Sequence, residues 1–277
     1  MTWSVDGERR RIAHRAVLDH LLGLVVGSPL GDALVLRGSM VMPAWVGADA
    51  REPADLDWIV SRPLLVPVDP EHPYPYVEEV EVVQQWPEAA DGADRYEIWK
   101  FEEFDTPGIR LIVPWEAEGL PPGEVRLDFA RDEWLPEPPV LTAIPRADGA
   151  GPTVVRTAGR ELSLAWKLLW LHVDCATEGR AQAKDLYDAV LLAEAEATKL
   201  SPRLLRKVFR HEPGNTAAAG ALRLDAVALW SVDWEDFRAE PPTGTGYGRG
   251  VASAPEPGAG TGVEAVGTME PLLAVSG

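Results

Sequence analysis

Residues 33–60 read ALVLRGSMVMPAWVGADAREPADLDWIV, and the order of features in this stretch predicts the fold. Residues 33–36 form a short apolar run that is typical of a buried strand, and Gly38 closes it. Residues 40–46 favour a short helix whose length Pro43 limits. Residues 56–60 predict a second strand, with Asp55 and Asp57 at its head. The sequence therefore predicts a strand, a Gly-Ser turn, a short helix and a strand that begins with two carboxylates.

The pair Gly38-Ser39 suits a phosphate. A glycine permits a tight turn with the backbone close to a ligand, and a serine offers both an N–H group and a hydroxyl. Asp55 and Asp57 stand two apart on a strand, so both side chains point to one face of the sheet. Two carboxylates in one space repel each other unless a cation lies between them, and hard oxygen ligands suit Mg²⁺ or Mn²⁺. The pattern therefore predicts a phosphate and metal site.

A third carboxylate is expected from Asp128, in the predicted strand Val125-Arg126-Leu127-Asp128-Phe129. A two-metal site built from Asp55, Asp57 and Asp128 would align an attacking hydroxyl and neutralise charge on a nucleoside triphosphate. An Asp-x-Asp pair alone also arises by chance in an acidic chain. Its position after a strand–Gly–Ser–helix unit, with a further aspartate on a later strand, favours the catalytic interpretation.

The remaining sequence predicts an α+β protein. Residues 8–26 show helical spacing, with Ile12 among the apolar positions, and the arginines at its start, Arg15 included, are expected on a solvated face. Residues 96–104, 109–115 and 125–129 have the composition of strands. Residues 61–76 contain five prolines and predict a surface excursion, while residues 77–86 are ambiguous between strand and helix. From residue 159 onward apolar residues recur at helical spacing, with further helices expected at 202–210 and 216–230. The composition after residue 240 predicts disorder.

These patterns predict three regions. Residues 1–155 would form an α/β domain with an N-terminal helix and a mixed sheet, residues 156–239 a helical region, and residues 240–277 a disordered tail. Residues 27–155 hold 25 acidic against 9 basic side chains, whereas residues 156–210 hold 10 basic against 7 acidic. The acidity of the first half makes the chain a poor general binder of nucleic acid, although a local basic face could hold an RNA end or a triphosphate.

The bulk composition indicates a soluble protein of the cytoplasm. The chain of 277 residues has a net charge of −18 and a single cysteine, which fits a reducing compartment. It has no run of 18 apolar residues, so we expect no membrane span and no membrane partner. The N-terminal residues also lack the pattern of a signal peptide.

Several motifs together resemble the polymerase-β-type nucleotidyltransferase superfamily, and within it the AbiEii/AbiGii toxin family. The first are Val35-Leu36-Arg37-Gly38-Ser39, Asp55-Leu56-Asp57 and Arg126-Leu127-Asp128. Glu161-Leu-Ser-Leu-Ala-Trp-Lys167 is similar to the family's Glu-x-Leu-x-Ala-x-Lys helix, and the segment from Arg180 to Asp188 is similar to its Arg-Asp-x-Tyr-Asp segment. The resemblance covers roughly residues 30–195. The chain departs from the family in a longer gap between Ser39 and Asp55 and in Lys184, which stands in place of an arginine.

The resemblance implies transfer of a nucleoside monophosphate from a nucleoside triphosphate to a hydroxyl acceptor. Asp55, Asp57 and Asp128 would hold Mg²⁺ or Mn²⁺, with Asp128 also helping to deprotonate the acceptor. Gly38, Ser39 and Lys167 would bind the nucleotide, with Asp185 and Asp188 as further contacts. The acceptor would be RNA, in particular a tRNA 3′ end, and the setting a toxin–antitoxin pair or phage defence with a cognate antitoxin protein.

Alternatives stay open at several of these positions. The acceptor could instead be a small molecule, as in antibiotic-modifying nucleotidyltransferases, or the chain could bind nucleotides without turnover. Lys167 could be an ordinary lysine on an amphipathic helix, although the apolar residues around it disfavour full solvation. Asp185 and Asp188 share a helix face, where they could orient Lys167 or the nucleotide, or pair with Arg180 and Lys184.

Overall fold

Seven strands form one mixed β-sheet in the order β3-β4-β5-β2-β1-β7-β6. The structure is a computed structural model, and it describes residues 5–28, 30–61, 95–99, 108–130, 133–211 and 230–234. The strands are β1 (Leu34–Arg37), β2 (Asp55–Val60), β3 (Arg95–Trp99), β4 (Gly108–Trp115), β5 (Gly123–Ala130), β6 (Val140–Ile144) and β7 (Thr153–Thr157). The β2–β5 and β1–β7 pairs are parallel, and the other pairs are antiparallel.

The chain divides into two compact units, each made of several segments. The first, called the sheet unit here, comprises residues 1–41, 53–135 and 139–157 and contains the whole seven-stranded sheet. The second, called the helical unit, comprises residues 42–52, 136–138 and 158–277.

In the sheet unit, alternation along the central strands separates a buried apolar face from a polar one. On β2, Leu56 and Trp58 are buried while Asp55 and Asp57 are partly exposed. On β5, the rings of Phe129 and of its neighbour Trp58 stack with centroids 6.5 Å apart. The helix α1 (Val5–Gly27) packs on this sheet, with Leu18, Leu21, Leu22 and Val25 buried. The period of two along β2 and β5 therefore leaves the carboxylates on one face.

The N-terminal part of α1 differs from the amphipathic pattern in its sequence. Ile12, expected to face the core, is 56% exposed. Arg15, expected on a solvated face, is buried, and its guanidinium donates to Asp19 and to the carbonyl of Pro145. The expected role of Arg15 was therefore wrong, because a buried carboxylate and a carbonyl oxygen replace its solvent.

The helical unit is built from α2 (Met42–Val46), α3 (Arg160–Thr177), α4 (Ala183–Glu194) and α5 (Pro202–His211). Two short strands, β8 (Ala181–Gln182) and β9 (Val232–Asp233), pair in parallel beside them. Both α4 and α5 pack against α3. The buried side chains of α3 include Leu162, Leu164, Leu168 and Leu171, which explains the helical spacing of apolar residues in this region.

The structure confirms the α+β class, and most predicted elements lie close to their observed positions. The hairpin of β6 and β7 was missed, because β6 is an edge strand in which only Ile144 is buried. The predicted proline-rich excursion, the ambiguous segment at 77–86, most of the helix at 216–230 and the C-terminal tail lie outside the described residues. Among the helices that the structure describes, none combines the length and hydropathy needed to cross a membrane.

Candidate active site

Charged residues stand in register across four adjacent strands of the sheet unit. Arg37 on β1 is paired with Asp57 on β2, Asp57 with Asp128 on β5, and Asp128 with Arg110 on β4. Residues directly opposite each other on neighbouring strands project to the same face of a sheet. The two carboxylates predicted to act together therefore occupy adjacent positions, flanked on each side by an arginine.

Asp55 extends this group along β2. It lies two residues before Asp57 and is paired with Arg126 on β5, so it shares the face of the charged row. Both Asp55 and Asp57 are partly exposed. The structure thus places Asp55, Asp57 and Asp128 on one face of one sheet.

Gly38 lies directly against the carboxylate of Asp57. Its φ of +79° is in the left-handed region that favours glycine. A Cβ atom built at this position would overlap the Oδ2 atom of Asp57. Position 38 therefore requires glycine for two independent reasons, the backbone conformation and the close approach of a predicted metal ligand.

Ser39 has a buried hydroxyl that the described residues leave without a hydrogen-bond partner. The side chain is only 2% exposed, and it opens the 3₁₀ turn Ser39–Val41 that follows Gly38. A buried polar atom without a partner costs free energy, and such atoms are concentrated at sites that bind a ligand or water. The phosphate contact of Ser39 stays a prediction, for which this hydroxyl has the donor chemistry.

Arg110 binds Asp128 through a two-pronged ion pair. Its Nε and Nη2 atoms each lie 2.7 Å from one carboxylate oxygen of Asp128. Side-by-side pairing of this kind is the strongest geometry available to an arginine and a carboxylate. Any cation that binds Asp128 would have to share this carboxylate with Arg110.

Arg37, at the other end of the row, donates to Glu133 from a distance of 2.5 Å. Burial raises the pKa of Glu133 above its ordinary value, and the positive charge of Arg37 opposes that rise. Arg37 thus has a carboxylate partner other than its strand neighbour Asp57.

The donor set of the charged row fits a divalent cation in its chemistry. Asp55, Asp57 and Asp128 offer hard carboxylate oxygens from adjacent strands, and glycine at position 38 avoids a Cβ atom that would overlap Asp57. Within the described residues, no three or more His, Cys, Asp or Glu side chains are grouped closely enough to hold a metal ion. Pairing of Asp128 with Arg110 is one physical reason, since it fixes that carboxylate on the arginine.

The helical unit contains a separate, buried group of charges around Lys167. The Nζ atom of Lys167 lies 2.6 Å from Oδ1 of Asp185 and 3.0 Å from Oδ2 of Asp188. The side chain of Asp188 is fully buried, and that of Lys167 is 6% exposed. Burial alone would lower the pKa of Lys167, but Asp188 and Asp185 outweigh it, so the pKa lies above its ordinary value. Lys167 is therefore held as a cation.

Arg51 completes this group. Its guanidinium lies 3.2 Å from each oxygen of Asp188, while the hydroxyl of Tyr187 donates to the carbonyl of Asp49. Two cations and two carboxylates thus balance within the helical unit. Asp185 and Asp188 orient Lys167, one of the alternatives left open by the sequence, whereas Arg180 pairs with Asp233.

The comparison with known families agrees with this geometry. A family model described as nucleotidyl transferase AbiEii toxin, type IV TA system, matches residues 21–247, well over half of the chain. The chain belongs to the AbiEii family. A search of curated proteins finds no match. Membership confirms the family that the motifs resemble, and with it a nucleotidyl transferase class and a type IV toxin–antitoxin system.

In this AbiEii chain the predicted site residues fall into two groups. Gly38, Ser39, Asp55, Asp57 and Asp128 belong to the sheet unit, and Lys167, Asp185 and Asp188 belong to the helical unit. No sequence pattern indicated Arg51. Arg110 could have been found, because a hairpin that pairs Trp115 with Gly123 places Arg110 opposite Asp128.

Replacing Gly38 with alanine in this AbiEii protein is expected to lower kcat/KM for nucleotidyl transfer by about 100-fold, since a displacement of about 1 Å at a reacting centre has that effect. The new methyl group would push the carboxylate of Asp57 aside. The matched control is Gly149→Ala, because Gly149 also has positive φ, at +71°, but nothing lies within 4 Å of its Cβ position. Equal activity of the two variants in steady-state assays would contradict the expectation.

Proposed function

We propose that this protein is a metal-dependent nucleotidyltransferase that moves a nucleoside monophosphate from a nucleoside triphosphate to a hydroxyl of RNA. The observation that carries the proposal is the register of Asp57 with Asp128, beneath a glycine whose Cβ position is taken by Asp57. This arrangement keeps two carboxylates adjacent, next to a turn whose glycine brings the backbone close to one of them. Membership of a nucleotidyl transferase family supports the same reaction class.

In the proposed reaction the acceptor oxygen attacks the α-phosphorus of the triphosphate. The bond from oxygen to phosphorus forms, the bond from phosphorus to the bridging oxygen breaks, and pyrophosphate leaves. Asp128 would accept the proton of the acceptor hydroxyl, and Ser39 would donate a hydrogen bond to a phosphate oxygen. Asp55 and Asp57, together with Asp128, would hold Mg²⁺ or Mn²⁺, which when bound neutralises charge that develops on the phosphates.

The proposed nucleotide contact of Lys167 needs an exchange of partners. Its ammonium group is already bound by Asp185 and Asp188, so a phosphate oxygen would have to replace one of them. Asp188 also binds Arg51 and is fully buried, which makes Asp185, at 8% exposure, the partner easier to exchange. We therefore propose that Asp188 positions Lys167 and that Asp185 gives way to the nucleotide.

The proposed acceptor is the 3′ end of a tRNA, acted on by a toxin whose cognate antitoxin is a separate protein. The family description supports a toxin of a type IV system. Removing the acceptor function of tRNA would stop protein synthesis, which suits a growth-arresting toxin. The cytoplasm, where tRNA is used, is the compartment that this role requires.

A second candidate, a nucleotide-binding protein without turnover, is favoured by one observation. Arg110 donates a hydrogen bond to each carboxylate oxygen of Asp128, so the group proposed to accept a proton already has a cationic partner. If that pair persisted in the presence of nucleotide and metal, the chain would bind without reacting. A small-molecule acceptor keeps the same site and differs only in the assay.

The testing experiment incubates the purified full chain with Mg²⁺ or Mn²⁺, each α-labelled nucleoside triphosphate and total tRNA. Label in the RNA band, with release of one pyrophosphate per nucleotide added, is the expected result, and it should stop when EDTA is added. Label that passes instead to a small hydroxylated acceptor would support the antibiotic-type alternative. Binding of nucleotide in calorimetry with no transfer to any acceptor would favour the binding protein and overturn the proposal.

Arg110→Gln is expected to tighten Mn²⁺ binding about tenfold, because a competing positive charge is removed from the Asp128 carboxylate. The measurement is titration of the nucleotide-free protein with Mn²⁺ by electron paramagnetic resonance. Arg146→Gln serves as the control, since Arg146 also binds both oxygens of a carboxylate, that of Asp148, which is not a predicted metal ligand. An equal affinity gain in both variants would attribute the change to overall charge and contradict a specific role for Arg110.

A further inference from the structure

One face of α5 carries the densest group of exposed cations in the described part of the chain. Arg203, Arg206, Lys207 and Arg210 are all exposed, and no acidic residue occurs in this helix. Their spacing of three, four and seven residues places them on one side of the helix. A chain with a net charge of −18 thus presents a purely basic helix face.

The opposite face of α5 fixes the direction of these side chains. Leu204, Leu205, Val208 and Phe209 are each no more than 4% exposed, and α5 packs on α3. The ring of Phe209 lies 5.8 Å from that of His172 on α3. Since the apolar side is buried in the helical unit, the cationic side must point to solvent.

The arginines of this face differ from most other described arginines in their lack of partners. Arg15, Arg37, Arg51, Arg110 and Arg146 each bind a carboxylate. By contrast, the side chains of Arg203, Arg206 and Arg210 form no ion pair or hydrogen bond within the described part of the chain. Lys207 reaches the carbonyl of Pro136. Clustered like charges that remain unneutralised repel one another, so an anionic partner would stabilise them.

We propose that the basic face of α5, formed by Arg203, Arg206, Lys207 and Arg210, binds the phosphate backbone of the RNA acceptor. This inference rests on the proposed function, because it identifies how an acidic protein recruits a polyanion. The cations extend over about 10 Å of helix, at about 1.5 Å per residue, which is enough to contact successive phosphates. An anionic membrane is disfavoured, because helices that bind membranes insert an exposed apolar face, and that of α5 is buried.

The test measures binding of tRNA to the full chain at several salt concentrations. Arg206→Gln combined with Arg210→Gln is expected to weaken binding about tenfold and to lower the slope of log affinity against log salt by about 1.4, at about 0.7 for each lost contact with single-stranded phosphate. The control combines Lys184→Gln with Lys199→Gln, which removes the same charge from exposed positions elsewhere in the helical unit. This control is expected to bind almost as tightly as the unsubstituted protein.

Two outcomes would overturn the proposal. Equal losses in the two double variants would assign the effect to net charge and overturn it, as would α5-dependent binding to phosphatidylserine vesicles without an effect on tRNA. Glutamine is a good helix former, so circular dichroism should show both variants folded. Because binding is read without nucleotide or metal, it is independent of transfer. A chain that binds tRNA through α5 but transfers nothing would refute the proposed function alone.

Discussion

Replacing Asp57 with asparagine is expected to reduce nucleotidyl transfer about a thousandfold, equivalent to about 4 kcal/mol of lost transition-state stabilisation. The substitution keeps the shape of the side chain and removes its charge. Asp57 stands between Arg37 and Asp128 in the charged row and lies against Gly38, so it occupies the centre of the predicted metal site. The measurement is single-turnover label transfer at saturating Mg²⁺.

Stability provides a second readout for this variant. Loss of one of two adjacent carboxylates relieves repulsion, so the thermal midpoint of Asp57→Asn should stay level or rise while activity falls. The control is Glu124→Gln, which removes an exposed carboxylate from the face of β5 that carries Asp128. Full activity is expected there. Retained transfer in Asp57→Asn would remove Asp57 from the reaction, and a parallel loss in Glu124→Gln would point to charge on the whole face.

Replacing Asp188 with alanine is expected to lower the free energy of unfolding by about 3–5 kcal/mol, the usual cost of removing one partner from a buried ion pair. The carboxylate is fully buried and holds both Lys167 and Arg51. Without it, Arg51 would lose this carboxylate and Lys167 would keep only the carboxylate of Asp185. Urea unfolding followed by circular dichroism measures the change.

Two further variants make this prediction specific. Glu194→Ala, at an exposed carboxylate on the same helix, should change the free energy of unfolding by no more than about 0.5 kcal/mol. Asp188→Asn should be intermediate, because it keeps hydrogen-bond acceptance and loses charge. The raised pKa of Lys167 means that its contribution to stability is complete below its ordinary value of 10.5 and is lost only as pH rises past the higher folded value. If Asp188→Ala were as stable as Glu194→Ala, the cluster would not be a structural element.

The central part of the sheet unit could be predicted from local rules, namely the period of two along a strand and the preference of tight turns for glycine. The period of two along a strand predicted that Asp55 and Asp57 share one face. The same period, applied to residues 125–129, predicted that Leu127 and Phe129 face the core while Asp128 points to the other face. Gly38 was identifiable because few residues other than glycine fit a tight turn after a strand. What the sequence could not supply was the register between strands, which sets Asp57 beside Asp128.

The remaining site residues depend on contacts between segments that are distant in the chain. Arg51 and Asp188 are 137 positions apart, and no periodic pattern relates them. The long gap between Ser39 and Asp55 looked like a departure in loop length. In the structure it contains α2 and the turn Gly47–Asp49, followed by Arg51, all within the helical unit. Burial of those contacts, rather than any local propensity, determines the arrangement.

The division of the chain into interleaved segments limits how the protein can be cut. Residues 42–52 belong to the helical unit, although in the sequence they lie between β1 and β2, which belong to the sheet unit. Residues 136–138 likewise belong to the helical unit and lie between β5 and β6. A fragment ending at residue 157 would retain Arg51 and Asp49 but lose Asp188 and Tyr187, their partners. A fragment beginning at residue 158 would keep Asp188 and Lys167 but would lack Arg51, the second cation that binds Asp188. A single proteolytic cut between the two halves of the sequence would therefore not release two intact folding units, and the gene cannot be divided there without damaging both products.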